Sequence, residues 1–310
     1  MTQVDIARTL EQLEPDRPAS AASAEPVDRP LSRRSRSWRS PTAGRIVRNP
    51  GQLLSVGWVA LVLVAVIAPE VITRQGPLDT ETQAKLQPPS WNHLFGTDQL
   101  GRDLFSRTVY GSALTLRTAL LAVAVGLVVG GLIGLVAGFV RGRLDGVLMR
   151  CVDVILSIPS LLLALALITV LGFGAFNVGL AVGLAGVAAC ARIMRSEVLR
   201  VRQSVFVEAA QTGGASWVRV LGRHVLPNSA GPVLVLATLQ FGVAILTVSA
   251  LSFLGYGTQP PTPEWGSLVA SGRDFMASAW WLTTLPGVTV AVTVLAANRI
   301  AHALDQRYAP

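Results

Sequence analysis

Charge is scarce in this sequence. Asp, Glu, Lys and Arg make up 14% of its 310 residues, against about a quarter in an ordinary soluble domain. Lysine is nearly missing, with Lys85 the single example among 26 basic residues. A phosphate-binding loop of the form G-x-x-x-x-G-K followed by Ser or Thr is thereby excluded, since Lys85 follows alanine and not glycine. Cysteine is almost absent as well. Cys151 and Cys190 stand alone with no C-x-x-C partner, which argues against a disulfide framework or a zinc site. His93, His224 and His302 lie too far apart to form a local metal motif, so neither a metal nor a cofactor is expected. The long apolar runs hold no Asp, Glu, Lys or Arg near their centres, where proton-coupled carriers place their relays. A secondary carrier or channel acting alone is the rival reading that this absence weakens, and no Ser/His/Asp or paired-Asp constellation suggests hydrolysis at membrane depth.

Apolar residues are abundant: 51% of the chain, with a mean hydropathy of +0.51, more than one soluble core could bury. Residues 1–50 differ, being rich in Arg, Ser, Pro and Ala. Such a composition cannot offset chain entropy by burial, and a disordered arm is expected there. Beyond it, charges mark out stretches long enough to cross a bilayer, which takes about 20 mostly apolar residues. Gly51 to Pro69 is uncharged, as are Thr118 to Val140 and Val154 to Ala191. The last is twice the needed length, and Gly172-Phe173-Gly174-Ala175-Phe176-Asn177 supplies a turn for a tight hairpin. One further span precedes Gly255 and a last one lies within Phe275 to Asn298. The expectation is an all-α membrane protein with six transmembrane helices.

Arginine sets the sidedness. If the arm is cytoplasmic, then the arm, the 141–150 loop, the 192–228 loop and the tail together hold 20 of the 26 basic residues. Both termini are then cytoplasmic. The high pI, near 10.8, reflects this flanking pattern, and no nucleic-acid partner is expected.

The basic loop between the fourth and fifth spans, about residues 193–228, contains Glu208-Ala209-Ala210-Gln211-Thr212-Gly213-Gly214, then His224-Val225-Leu226-Pro227-Asn228. Glu-Ala-Ala, a glycine six residues after the glutamate and Leu-Pro twelve residues after that glycine resemble the coupling loop of binding-protein-dependent ABC importer permeases. Three other segments are similar to the second, C-type permease of the dipeptide, oligopeptide and nickel branch. These are His93-Leu94-Phe95-Gly96-Thr97-Asp98-Gln99-Leu100-Gly101-Arg102-Asp103-Leu104-Phe105-Ser106-Arg107, Leu251 to Gly266, and Ala303-Leu304-Asp305-Gln306-Arg307. The similarity spans about residues 50–308. It implies a type I ABC importer permease fold over residues 51–310 in a bacterial inner membrane, and a non-catalytic transport subunit for peptides, or for nickel or another small solute of the branch. It also implies a B-type permease partner, two ATPase subunits or domains, and an extracytoplasmic substrate-binding protein. Glu208, Ala209, Ala210, Gly214, His224, Leu226 and Pro227 are the expected ATPase-coupling residues, with Arg195, Arg200, Arg202, Arg219 and Arg223 as a field for an acidic partner surface.

Two other patterns are candidates. Gly126, Gly130, Gly134 and Gly138 repeat at a spacing of four on the second span, a small-residue ridge that lets helix backbones approach closely in lipid. The neighbour could belong to this chain or to a second permease. On the outer side, Pro260, Pro261 and Pro263 stiffen a loop that ends in Glu264 and Trp265. It suits a docked binding protein, or else a rigid interfacial turn with Trp265, Trp280 and Trp281 as aromatic anchors.

The charge asymmetry generates a topology prediction. Reporter fusions at Gln83 and Thr212 should report opposite sides of the membrane, and equal sidedness would overturn the six-span arrangement.

Overall fold

The structure, a computed structural model, describes residues 50–308, with side chains described through residue 303. The expected disordered arm, apart from Pro50, lies outside these residues. The described chain is helical, and its elements can be followed in order. α1 (Pro50–Ile67) is apolar on every side and stops at Ala68, which precedes Pro69 and is therefore biased away from the helical region. After the single turn α2 (Pro69–Ile72), an ordered non-helical segment runs to Asp103.

Asp103 caps the next helix, its carboxylate accepting from the Ser106 N–H at 2.7 Å. That helix is one rod of 37 residues, Leu104–Val140, made of α3 (Leu104–Val125), a π turn (Gly126–Gly130) and α4 (Gly131–Val140). At a rise of 1.5 Å per residue it is about 55 Å long, much longer than the hydrocarbon, so it extends beyond the uncharged stretch that begins at Thr118. The glycine ridge falls on this rod. In an ideal α-helix, a spacing of four drifts by about 40° per step, and the wider π turn takes back part of that drift. The four glycines thus stay turned to one neighbour, α7 (Ala175–Arg202).

The approach is close. A Cβ on Gly130 would strike the Val187 carbonyl oxygen and lie 2.8 Å from Cys190 Cβ, while one on Gly134 would strike the Ala191 carbonyl and lie 2.8 Å from Met194 Cβ. A Cβ on Gly138 would sit 2.9 Å from Val198 Cβ, and Gly126 faces Gly183. The relation is mutual, since a Cβ on Gly183 would lie 2.7 Å from Val125 Cβ and one on Gly179 2.9 Å from the Thr118 carbonyl. The neighbour of the ridge is therefore a helix of this same chain.

Between rod and α7 the chain departs from the straight third span that its uncharged run suggests. α5 (Gly142–Leu156) and α6 (Ser160–Leu171) meet at 93° across Ser157, Ile158 and Pro159. Pro159 has no N–H to continue the helix and disfavours the α region at Ile158. The 12 residues of α6 cover only about 18 Å, too little to cross alone, so the sixth crossing exists only as the bent α5–α6 pair. The hairpin forms at Gly172 and Gly174, both at positive φ, with Asn177 donating to the Leu171 carbonyl at 2.8 Å.

α7 also overruns its uncharged stretch and continues through Arg202. Arg195 donates to both oxygens of Asp145 on α5 at 2.5 and 2.7 Å, and Arg192 pairs with Asp153 at 2.6 Å. Residues 193–202, expected as loop, are therefore the last turns of a helix held to α5 by ion pairs. Short helices α8 (Val205–Thr212) and α9 (Trp217–Val220) and a second π turn (Leu221–Val225) lead into α10 (Leu226–Phe253). α11 (Trp265–Gly272), a 3-10 turn (Arg273–Phe275) and α12 (Trp281–Tyr308) complete the described chain. Large apolar side chains such as Leu54, Leu120, Leu132 and Val170 are left exposed along the helices, as suits a multi-pass membrane protein whose outer surface meets lipid.

The ridge generates the second prediction. Leucine at both Gly130 and Gly134 keeps the rod apolar but overpacks α7 at an expected cost of about 1 to 3 kcal/mol per site. Leucine at Val128 and Val129, 58% and 38% exposed, should be tolerated. Membrane insertion should be normal for both pairs, with thermal stability of the purified protein lost only for the glycine pair.

Candidate functional site

The loop between α7 and α10 is built from three short segments, each burying one valine. Val207 from α8, Val220 from α9 and Val225 from the π turn are at most 1% exposed and pack with Val198 and Val201 of α7. Ala210, Ala215 and Leu221 pack partly against this cluster, and most of the other side chains of the loop are left outside. Glu208 and Ala209 are exposed, Ala210 is half-buried, and Val205, Phe206, Trp217 and Val218 present apolar surface beside them.

α8 ends in a Schellman turn. The Ala215 N–H reaches the Ala210 carbonyl and the Gly214 N–H the Gln211 carbonyl, both at 3.0 Å. Gly214 has φ +79° with open space around the position of a Cβ, so backbone conformation alone demands glycine there. The turn folds α9 back beside α8. His224 is half-buried with its ring centroid 6.4 Å from that of Phe206, and its carbonyl accepts from Asn228 at 2.6 Å. Leu226 and Pro227 are exposed at the start of α10. Pro227 offers no N–H to the Arg223 carbonyl one turn earlier, and the helix widens into the π turn at that place.

The arginines around the loop differ from the expected open field. Arg195 is engaged with Asp145, Arg200 donates to Glu197 at 2.9 and 2.7 Å, and Arg202 donates to the Phe139 carbonyl. Arg219 and Arg223 alone of the five are exposed and make no ion pair among the described residues. Sequence reasoning missed this because Asp145 lies 50 positions away from Arg195.

At the opposite end of the helices, Pro260 and Pro261 are exposed, but Glu264 and Trp265 are each 1% exposed. These two cannot meet a docked protein, nor can Trp265 serve as an interfacial anchor. Glu264 caps α11, accepting from the Gly266 and Ser267 N–H groups at 3.0 Å each, and takes the Thr115 hydroxyl at 3.1 Å. Trp265 donates through Nε1 to the Thr108 carbonyl at 2.8 Å. Of the other two candidate anchors, Trp280 is exposed and Trp281 buried.

The histidine and the charged residues of the His93–Arg107 segment are likewise internal. Asp98 takes Arg102 Nε at 2.7 Å and lies 3.7 Å from Arg107 Nε, His93 Nδ1 lies 2.9 Å from Asp103, and all five residues are buried. Arg107 also reaches the carbonyls of Pro77 and Pro261. These polar residues hold the non-helical segment onto the rod.

A cavity of about 370 Å³ lies among α3, the first π turn, the α5–α6 break, α7 and α10. Its lining is uncharged, with Ser160, Gln240 and Thr247 as polar members. The sequence carried no signal for it, since its walls are ordinary small and branched apolar residues. No group of three or more His, Cys, Asp or Glu able to hold a metal occurs among the described residues.

Comparison with known proteins fits this geometry. Residues 130–310 match the family model described as binding-protein-dependent transport system inner membrane component. A putative peptide transport system permease of Brucella abortus is 39% identical over 263 residues, covering 85% of this chain and 88% of the relative. The di/tripeptide transport system permease DppC of Pseudomonas aeruginosa is 41% identical over 259 residues, covering 81% and 84%. A probable D,D-dipeptide transport system permease of Escherichia coli is 40% identical over 250 residues, with the same shares. In fold, the chain is similar to an amino acid ABC transporter (TM-score 0.52, 18% identity, 66% of this chain and 94% of that one). It is also similar to an inward-facing methionine ABC transporter (TM-score 0.51, 18% identity, 64% and 96%). With six apolar crossings, a short-helix loop at their basic end and relatives at this identity, the chain belongs to the inner-membrane permease family of binding-protein-dependent ABC importers and is a non-catalytic transport subunit.

Proposed function

We propose that the chain is the C-type permease of a peptide importer, pairing with a related B-type permease. Residues 51–310 form the permease domain, and the basic end with both termini lies in the cytoplasm. ATPase subunits and a substrate-binding protein are the partners that the family implies. In this reading two ATPase chains or domains drive the pair and an extracytoplasmic binding protein feeds it.

The observation that carries the reading is the loop around Gly214. Two long crossing helices, α7 and α10, are joined through α8, a rigid positive-φ turn and α9, so a displacement of the loop acts on both crossings directly. Its outer face combines Glu208 with apolar Phe206, Trp217 and Val218, a mixed patch suited to seating in a groove on a partner. Closure of the ATPases on ATP would pull this element and rock the helices between inward-open and outward-open states. Peptide as substrate is supported by the named activities of the relatives. The uncharged cavity between α3, α7 and α10 supports passage of a small solute without a fixed counter-charge to trap it.

Gly214→Val would hold a branched residue at φ +79°, a strain of about 1 to 3 kcal/mol, and Glu208→Lys would reverse the one charge on α8. Both variants should insert normally yet fail to co-purify with the ATPase and fail to take up peptide. Normal co-purification and normal uptake by both would overturn the coupling assignment.

A further inference from the structure

α7 carries four arginines, and three of them face carboxylates: Arg192 with Asp153, Arg195 with Asp145 and Arg200 with Glu197. Arg202, its last residue, makes no ion pair among the described residues. Its guanidinium instead donates to the backbone carbonyl of Phe139 and lies with Cζ 5.4 Å from the centroid of the same residue's ring. Phe139 is in the last turn of α4, where carbonyls have no helical partner. A cation placed there meets the negative end of the 37-residue rod as well as the ring face.

The contact continues into the loop. The Phe139 ring centroid is 6.4 Å from that of Trp217, the first residue of α9. Arg202, Phe139 and Trp217 therefore join the end of α7, the end of the rod and the second short helix of the loop. On the core side, Gly138 sits against Val198, so rod and α7 are already locked in register there. Immediately beyond Phe139 and Val140 the chain breaks at Arg141 and Gly142, both at positive φ, so the rod is held at this end by its neighbours and not by its own continuation.

We propose that Arg202 is a positioning residue of the transport cycle. Through Phe139 it makes the glycine-ridge rod follow the loop when the ATPases close, so that the cavity behind the ridge changes access in step with ATP. The proposal rests on the coupling reading of the loop given above. Loss of the guanidinium leaves the outer face of α8 and α9 in place for the ATPase but lets the loop move without the rod.

The test uses the complete importer, with its partner permease and ATPases, purified in the Cys151→Ser background. Cys190 lines the cavity directly behind Gly130, and its labelling rate by a small maleimide, compared between the resting complex and the complex trapped with ATP and vanadate, reads access without needing an identified substrate. The unaltered complex should show a change of about fivefold or more. Arg202→Gln should abolish that change while still hydrolysing ATP, Arg202→Lys should restore part of it by keeping the charge and the carbonyl contact, and Arg192→Gln should leave it intact. Should Arg202→Gln fail to assemble, Phe139→Leu keeps the carbonyl, removes the ring and should reduce the change. A full nucleotide response in Arg202→Gln, or in Phe139→Leu where that variant stands in, overturns the proposal, as does a Cys190 rate that ignores nucleotide in the unaltered complex. If Glu208→Lys also leaves ATPase binding and response intact, the coupling reading itself falls. If Glu208→Lys abolishes both while Arg202→Gln responds in full, only the role of Arg202 falls.

Discussion

Everything else in this molecule is arranged around the close approach of the 104–140 rod to α7. In lipid, apolar side chains gain nothing by leaving one hydrocarbon for another, so helices associate through short-range contact and must come near enough for backbones to touch. Gly130 and Gly134 touch the carbonyls of Val187 and Ala191 directly, and Gly179 and Gly183 answer from the other side. This contact fixes where α7 ends relative to where the rod ends. It thereby sets the platform of Val198 and Val201 on which the three short segments of the loop are seated.

The two ends of the helices use charge in opposite ways. At the far end, Asp98 with Arg102 and Arg107, and Glu264 with its backbone donors, are buried. A buried ion pair adds little net stability against apolar packing, but breaking one side of it is costly. These groups specify geometry: the non-helical segment can lie on the rod in one register, and α11 can enter between α3 and α10 in one way. At the basic end the carboxylates of Asp145, Asp153 and Glu197 neutralise most of the arginines on α7. Between Gln203 and Asn228 the exposed charges are Glu208, Arg219 and Arg223, set among apolar side chains. At this loop a partner would thus meet a surface more apolar and less basic than the arginine count of residues 192–228 suggests.

The parts of the fold and site that were legible in the sequence are those governed by local chemistry. Uncharged runs between arginines located the crossings, because a bilayer excludes charge from its centre. Gly172 and Gly174 marked the hairpin, because only glycine takes those φ values easily. Gly214, six residues after Glu208, marked the turn of the loop for the same reason. The 93° break between α5 and α6 was less visible, since Val154 to Leu171 is uncharged throughout and Pro159 alone does not say whether a helix kinks or stops. The continuation of α7 to Arg202 was hidden because it depends on Asp145 and Asp153, which belong to another helix.

By itself, then, the sequence determined the class of the protein, the apolar runs that become its crossings, the uneven distribution of its arginines along the chain and the place of the loop around Glu208 and Gly214. Each of these follows from residue type and spacing along one segment. Only the tertiary structure decided what each polar residue faces. Glu264 and Trp265 read as an exposed tip until Thr108 and Thr115, about 150 positions away, are seen to cover them. Arg202 reads as one more basic surface residue until the Phe139 carbonyl and ring are found beneath it. The physical reason is common to both: burial and hydrogen bonding are properties of pairs brought together by packing, and a linear pattern records only one member of each pair.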